Sequence, residues 1–276
     1  MKLCILLLFC LLRATRGQMM GGLEAEEGAF PFAVQIHSPR CRRSRCMCGG
    51  SVIGGNRFGN RWVITAAHCV WDLVTRRNYE VKVVAGDIWR VPDYWGLRPN
   101  RVEMIPEWIL RHPNYEASPH DYDLGLLFFK QRITVNDRIR AIGLPAMRGH
   151  GDRELPSPGD QCIVMGWGNT RLNPIKEIIS FDPPLKLKVG YLRVRDVTYH
   201  HIIFHLDRNG VYPLHGDSGS PLLCKDSDGS WKQFGLYRGA NLTHDFGYFM
   251  RLESFRGWID TTQFNIEKLF FWGLQD

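Results

Sequence analysis

Three residues far apart in the chain have side chains that together could carry out acyl transfer. Ser218 lies in the stretch LHGDSGSPLLC, His68 ends the apolar run WVITAAHCV, and Asp123 begins the apolar run in HDYDLGLLFF. A serine hydroxyl is a poor nucleophile near neutral pH, and a histidine can take its proton and return it later. A buried carboxylate can fix the tautomer of that imidazole and stabilise its charged form. The order His, Asp, Ser is one of the known chain orders of this geometry.

Each of these residues, taken alone, also has an ordinary structural explanation. Serine and glycine are common in turns, and an aspartate before a strand often caps a turn. A histidine at the end of a strand is often only a satisfied polar residue. The catalytic hypothesis therefore requires a fold that brings the three side chains together.

Short strands are the elements that would position this set. Runs such as FAVQI, RWVITAA, QCIVMGWG, LKLKV and FGYFMRL recur between clusters of Gly, Pro, Asn and Asp. In YEVKVVAG, the polar residues Glu80 and Lys82 alternate with Val81 and Val83, which is the period of a half-buried strand. Many short strands separated by turns predict barrels or a sandwich.

A helical pattern is found only near the C-terminus, over residues 254–268, with Phe255, Trp258 and Ile259 on one side. The 276 residues are 44% hydrophobic and 12% aromatic, enough for one large all-β domain or two small ones. The Pro- and Gly-rich stretch 143–160 is the best candidate for a linker between two halves.

The N-terminal stretch MKLCILLLFCLLRATRG predicts a secretory signal over residues 1–17. Its apolar run is too short to span a bilayer, and no later run is longer, so we expect no membrane span; an uncleaved signal-anchor is the alternative. We expect a protein that is secreted or stored in granules. The formal charge of +7 falls to about +4 without Lys2, Arg13 and Arg16, which is too mild for a dedicated nucleic-acid binder.

Eight cysteines are present, of which two belong to the predicted signal. An even number of remaining cysteines in a secreted chain predicts disulfides. Zinc is the competing interpretation, but no Cys-x2-Cys pair has a matching distant pair, so no metal is expected. The six cysteines of the mature chain are Cys41, Cys46, Cys48, Cys69, Cys162 and Cys224.

Seven motifs in order make the chain similar to the chymotrypsin-like (trypsin-fold) serine proteases: MMGG, CGGSVI, TAAHC, DLGLL, CIVMGWG, GDSGSPLLC and GWI. The resemblance extends from about residue 19 to residue 259. It implies an all-β fold of two six-stranded antiparallel β-barrels with a C-terminal helix and an active site in the cleft between the barrels. It also implies that His68 is the general base, Asp123 its orienting acid and Ser218 the nucleophile. Asp121 is interpreted as a solvated neighbour.

The resemblance further implies an oxyanion hole and an activation step. The backbone N–H groups of Gly216 and Ser218 would bind the oxyanion. A new N-terminal amine at Met19 would pair with Asp217, and GQMMGG resembles the short pro-segment of granzymes and mast-cell chymases. The activation segment would be residue 18 alone, or 17–18 if the signal ends at Arg16, and the peptidase domain would be residues 19–276.

By the same resemblance, Cys48 pairs with Cys69 and Cys162 pairs with Cys224. Cys41 and Cys46 have no counterparts in the family and could close a small basic loop or stay free.

The implied substrate pocket has Tyr212 at its floor, with Gly239 and Gly247 at its walls. Without an aspartate at the floor, a preference for Arg or Lys would lose its charge partner. The stretch GLYRGA replaces the usual Ser-Trp-Gly run of the family, and we expect Arg238 in it to occupy part of the substrate-binding edge.

Three further features have two interpretations each. Arg40, Arg42, Arg43 and Arg45 form either a solvated hairpin tip or an exosite for polyanions or an acidic protein. His201 and His205 have a helical spacing, but no glutamate completes a zinc motif and the segment favours strand or loop. The sequon NLT at Asn241 would be glycosylated if it is exposed.

The sequence thus predicts a secreted, monomeric serine endopeptidase that is not Arg/Lys-specific, needs no cofactor, acts on proteins or peptides and is open to serine protease inhibitors. The alternative is a catalytically weak or inactive homologue that binds polyanions or proteins through its basic loop.

Overall fold

The computed structural model describes residues 22–37, 47–54, 59–72, 77–78, 80–90, 98–116, 121–147, 156–169, 184–206, 211–241 and 243–273. The predicted signal, Met19, the arginine-rich segment 40–45, Cys41 and Cys46 lie outside these ranges.

The first half of the chain forms an antiparallel sheet whose seven strands follow the spatial order β8-β7-β2-β3-β4-β10-β9. The period-2 prediction for residues 80–83 is confirmed, because Val81 and Val83 are buried while Glu80 and Lys82 are exposed. A separate two-stranded ribbon joins β5 to β6. The strands of the sheet are β2 (Ala33–His37), β3 (Met47–Ile53), β4 (Trp62–Thr65), β7 (Lys82–Ala85), β8 (Val102–Met104), β9 (Trp108–Arg111) and β10 (Gly125–Phe128). The ribbon strands are β5 (Trp71–Asp72) and β6 (Arg77–Asn78), and β1 (Leu23–Glu24) precedes them in the chain.

The second half forms a closed six-stranded barrel in the order β12-β11-β14-β15-β16-β13, which the pairing of β13 with β12 completes. Strand β1 joins this sheet at the edge of β12, so the start of the described chain contacts the second half. The strands are β11 (Gln161–Gly166), β12 (Lys188–Val197), β13 (His201–His205), β14 (Pro221–Lys225), β15 (Trp231–Asn241) and β16 (Phe246–Arg251).

The C-terminal helix, α1 (Arg256–Trp272), starts two residues later than predicted and runs four residues further. Its Ile259 is fully buried in the same apolar cluster as Trp62 and Phe128 of the first sheet. The buried Glu267 accepts a hydrogen bond from Trp62 Nε1 at 2.8 Å. The helix at the end of the chain therefore packs on the first half. Within the described ranges, no helix has the length and apolarity that crossing a membrane requires.

Two disulfides join residues within the described ranges. Cys48 on β3 is bonded to Cys69, and Cys162 on β11 is bonded to Cys224 on β14. The loops that they close contain 21 and 62 residues, which corresponds to about 3 and about 4 kcal/mol in the chain-entropy model. The predicted fold class, all-β with two six-stranded barrels and a C-terminal helix, is confirmed as a double-barrel fold. The second half closes over six strands, whereas the first half is a sheet of seven paired strands.

Candidate active site

His68 lies in a short turn that follows the apolar strand β4. The chain leaves β4 at Thr65 and forms a 3-10 turn over Ala67–Cys69, where the small residues Ala66 and Ala67 are fully buried. The bond from Cys69 to Cys48 holds this turn against β3. The imidazole of His68, 34% exposed, is consequently fixed at its base while its outer edge reaches solvent.

Asp123 meets this histidine because β4 and β10 are antiparallel partners. Gly125, the first residue of β10, pairs with Thr65, the last residue of β4, so the residues just outside the two strands face each other. Asp123 accepts a hydrogen bond from the backbone N–H of His68 at 2.9 Å through Oδ1. Its Oδ2 lies 2.6 Å from His68 Nδ1. Since a carboxylate only accepts, Nδ1 carries the proton and Nε2 is left as the basic nitrogen.

The carboxyl of Asp123 is almost completely buried, at 1% exposure of its side chain. Burial acts to raise its pKa, but the charge and hydrogen bonds of His68 and the charge of Arg238 act more strongly in the other direction. The pKa of Asp123 therefore lies below its usual value, and the group is ionised at neutral pH.

Asp121 points to a different partner. Its Oδ1 lies 3.7 Å from His201 Nε2, and its side chain is 41% exposed.

Tyr122 between the two aspartates stacks on His112, at 4.8 Å between ring centroids, and lies 5.1 Å from the His200 ring. Burial and, to a smaller extent, the nearby charge of His200 together lower the pKa of His112 to about 4. The rings of His112 and His200 thus pack around Tyr122, the residue before Asp123, and the sequence motifs did not predict these contacts.

The turn that contains Ser218 docks on the end of β4 beside His68. The Ser218 carbonyl accepts a hydrogen bond from the N–H of Gly49 at 2.8 Å and lies 3.7 Å from the sulfur of Cys69. Gly219 has φ +80°, and a Cβ there would collide with Thr65 Oγ1 and the Gly49 carbonyl. Only glycine permits this approach of the serine turn to the first sheet.

The serine turn thus contacts Cys69, the residue after His68, and within the described ranges no hydrogen bond joins Ser218 Oγ to His68 Nε2. Such bonds are often long in ligand-free sites and tighten when substrate binds. Gly216, two residues before the serine, has φ +101°. Among the described residues, no acceptor is bonded to the N–H of Gly216 or of Ser218.

Asp217 is buried beneath the serine turn, with 1% exposure. It accepts hydrogen bonds from the N–H groups of Gly168, at 2.7 Å, and Leu214, at 2.8 Å. A Cβ at Gly166 or Gly168 would overlap its carboxyl, which explains the GWG motif physically. Burial raises the pKa of Asp217 to about 7, although the two N–H donors and the charge of Arg90 oppose this rise.

The residues predicted to form the pocket lie on or beside strands of the closed barrel, and aromatic side chains pack against Tyr212 and Gly247. Tyr212 is 1% exposed and packs in a cluster with Phe204 and Tyr237. Phe204 on β13 pairs directly with Gly247 on β16, and its ring occupies the space where a Cβ of Gly247 would project. Gly239, by contrast, has no described atom within 4 Å of its would-be Cβ. Phe204 was not predicted as a site residue, since its role depends on strand register.

Arg238 lies close to the candidate catalytic pair. Its Nε is 3.8 Å from Asp123 Oδ2, the oxygen that also faces His68 Nδ1. The sequence predicted Arg238 at the substrate-binding edge, and its contact with the aspartate was not foreseen.

The structure gives little basis for a metal site among the described residues. His201 and His205 stand at the two ends of a five-residue strand rather than on adjacent turns of a helix. The one cluster of three ligand-type side chains in the described ranges is His68 with Cys48 and Cys69. Both sulfurs are consumed by the disulfide.

Comparison with known proteins identifies the family. The family model described as Trypsin matches residues 19–259. Transmembrane protease serine 5 of Homo sapiens is 29% identical over 266 residues, which cover 92% of this chain and 54% of that protein. The chain thus spans about half the length of that relative. Anionic trypsin of Canis lupus familiaris is 26% identical over 254 residues, 89% of either chain. With the family model covering most of its length, the chain belongs to the trypsin family.

Proposed function

We propose that this chain is a secreted serine endopeptidase that hydrolyses peptide bonds through an acyl-enzyme on Ser218. The observation that carries the proposal is the pairing of buried Asp123 with His68 by hydrogen bonds of 2.6 and 2.9 Å. This pairing leaves the basic Nε2 on the side of the imidazole away from the aspartate. The serine turn is docked against the same strand end.

In the first half of the proposed reaction, Ser218 Oγ attacks the scissile carbonyl carbon while His68 Nε2 takes the hydroxyl proton. His68 then donates that proton to the leaving amine, and the acyl group stays on Ser218. In the second half, water attacks the ester, His68 takes a proton from the water, and returns it to Ser218 Oγ. Asp123 stabilises the imidazolium in both halves without itself being protonated.

The negative oxygen formed in each attack would be bound by the N–H groups of Gly216 and Ser218. Loss of one donor of this kind costs about 100- to 1000-fold in rate. The left-handed conformation of Gly216 helps to set the direction of these groups. The shape of this turn is therefore as important as the nucleophile.

Activation would depend on Asp217. A buried carboxyl whose pKa is raised to about 7 is a costly charge to hold unpaired at neutral pH. A free amine at Met19, created when the segment before it is removed, would supply the missing positive charge. We infer that residues 19–276 are the mature domain and that its processing organises the serine turn.

Substrates are proposed to be proteins or peptides without Arg or Lys before the scissile bond. Tyr212 carries no charge to pair with a basic side chain, and the Phe204 ring lies in front of Gly247. These features favour a shallow pocket for small or apolar side chains.

The enzyme would act as a monomer without a cofactor and be open to serine protease inhibitors. The Asn241 Oδ1 accepts hydrogen bonds from the N–H groups of Thr243 and His244, both at 3.1 Å. A glycan on this sequon would be joined to Nδ2, which takes no part in these two bonds.

The second candidate is a weak or inactive homologue that binds polyanions or protein partners through residues 40–45. The filled space at Gly247 and the contact of Arg238 with Asp123 favour it.

Labelling with a fluorophosphonate probe separates the two candidates. Protein processed to begin at Met19 is expected to label once, and S218A is expected to lose the label entirely. S227A, which changes an exposed serine in the β14–β15 turn, is the matched control and should label like the wild type. A well-folded, correctly processed sample that does not label would reject the endopeptidase and favour the binding protein.

A further inference from the structure

Arg238 is placed beside the candidate catalytic pair by an irregularity in β15. Tyr237 pairs with Phe249 and Gly239 pairs with Tyr248, so β15 has one more residue than β16 between these two pairs. Arg238 is that extra residue. A bulge of this kind re-aims a side chain and is common next to active sites.

The backbone just before the bulge is tied to the serine turn. The carbonyl of Tyr237 accepts from the N–H of Gly219, and the N–H of Tyr237 donates to the carbonyl of Ser220, both at 2.8 Å. The start of the bulge, and with it the backbone that carries Arg238, is therefore held in place relative to the serine turn. The side chain is 26% exposed, which places its charge partly inside the protein.

The guanidinium and the imidazole face the same carboxylate oxygen. Asp123 Oδ2 is 2.6 Å from His68 Nδ1 and 3.8 Å from Arg238 Nε. With the Asp123 side chain 1% exposed, solvent screens these charges poorly. The positive charge of Arg238 offsets part of the negative charge that would otherwise stabilise a protonated His68.

We propose that Arg238 is a positioning residue that restrains the His68–Asp123 pair by sharing Asp123 Oδ2 with the imidazole. The proposal rests on the proposed function, in which His68 becomes positively charged in each transition state. Because Arg238 offsets part of the negative charge of Asp123, the protonated form of His68 is less stable than it would be with a neutral residue at 238. Turnover is therefore slower, and the pair is protonated at lower pH.

The charged and titratable groups around Asp123 come from several elements of the fold. His68 lies on the turn after β4, and Arg238 comes from β15; both lower the pKa of Asp123. Asp121 is 3.7 Å from His201. In addition, the rings of His112 and His200 flank Tyr122, the residue before Asp123. Of the cations among these described residues, only Arg238 is within 4 Å of the shared oxygen and keeps its charge at every pH of interest.

The first test compares pH profiles of kcat/KM for the wild type, R238Q, R238M and R238K, all processed at Met19. The neutral variants are expected to move the acid limb up by about one pH unit and to raise kcat by about threefold to tenfold. R238K, which keeps the charge, should stay within about twofold of the wild type. R256Q removes an arginine paired with Asp260 on α1 and should change neither quantity.

An acid limb that coincides in the wild type and both neutral variants would overturn the proposal, even if KM changes. A change in KM alone would assign Arg238 to a direct substrate contact. Because either neutral side chain removes the charge, R238M decides the question if near-UV circular dichroism shows that R238Q does not fold.

A second measurement distinguishes failure of this proposal from failure of the proposed function. The imidazole NMR signal of His68, assigned with H68Q, reports protonation without turnover. Protonation about one pH unit higher in R238Q than in the wild type supports the restraint even in a protein that does not label with the probe. A wild type that labels while R238Q shows no shift would support the endopeptidase and reject the restraint.

Discussion

The two halves of the molecule contribute to the candidate site in different ways. His68 and Asp123 come from two paired strands of one sheet, and the residue-by-residue register of β4 and β10 brings them together. The residues predicted to bind substrate lie in or against the closed barrel. There Tyr212 and Arg238 depart from the pattern that the family resemblance implies, and the Phe204 ring fills the space at Gly247. The candidate catalytic pair and the candidate substrate surface therefore come from different sheets, with Arg238 in contact with both. Three substitutions test how far that separation extends.

The largest effect is expected from the aspartates on either side of Tyr122. D123N should lower kcat/KM by about 10,000-fold, because the amide can hold the imidazole in the wrong tautomer. D121N should leave kcat/KM within about threefold, since Asp121 faces His201. Hydrolysis of an ester substrate by matched, active-site-titrated samples measures both. Equal losses of kcat/KM in the two variants would show that Asp123 is no more important to His68 than Asp121 is.

An intermediate effect is expected from the aromatic ring at Gly247. F204A should cost about 3–5 kcal/mol of stability and raise kcat/KM for peptides with a large apolar residue before the cut by about tenfold. Denaturant unfolding and a peptide series measure the two effects. F234A, another fully buried phenylalanine of the same barrel, is the matched control and should lose stability without a change in preference. If both variants change preference equally, the ring at 204 is not a specific pocket element.

The smallest effect concerns the pH dependence of the unprocessed chain. The pKa of Asp217 rises from 3.8 to about 7 on folding, so its stabilising contribution is complete below pH 3.8 and is lost as the pH rises towards 7. The loss amounts to up to about 4 kcal/mol. D217N should flatten this part of the dependence of unfolding free energy on pH.

The control for that measurement is D196N, which removes an exposed aspartate on β12 and should leave the slope unchanged. Protein processed at Met19 should also show a flatter slope if its new amine pairs with Asp217. An unprocessed wild type whose stability is constant between pH 4 and pH 7 would contradict the assignment of a protonated Asp217.

Local patterns were sufficient for some elements and not for others. The alternation around Val81 and the apolar run after Asp123 indicate half-buried and buried strands, because side-chain period and burial are local properties. The helix was placed within two residues at its start because Ile259 and its neighbours follow a helical period. Phe204 and Arg238 could not be assigned in this way. Their roles depend on the register of β13 with β16 and on a bulge in β15, which are pairings between distant segments.

The sequence by itself determined which side chains are present for acyl transfer, their order, and the family to which their motifs belong, because residue type and spacing carry this information. Only the tertiary structure decided that a phenylalanine ring fills the space at Gly247 and that a guanidinium lies 3.8 Å from Asp123 Oδ2. These outcomes are contacts between strands far apart in the chain, and they depend on backbone register to within one residue, which no local pattern specifies.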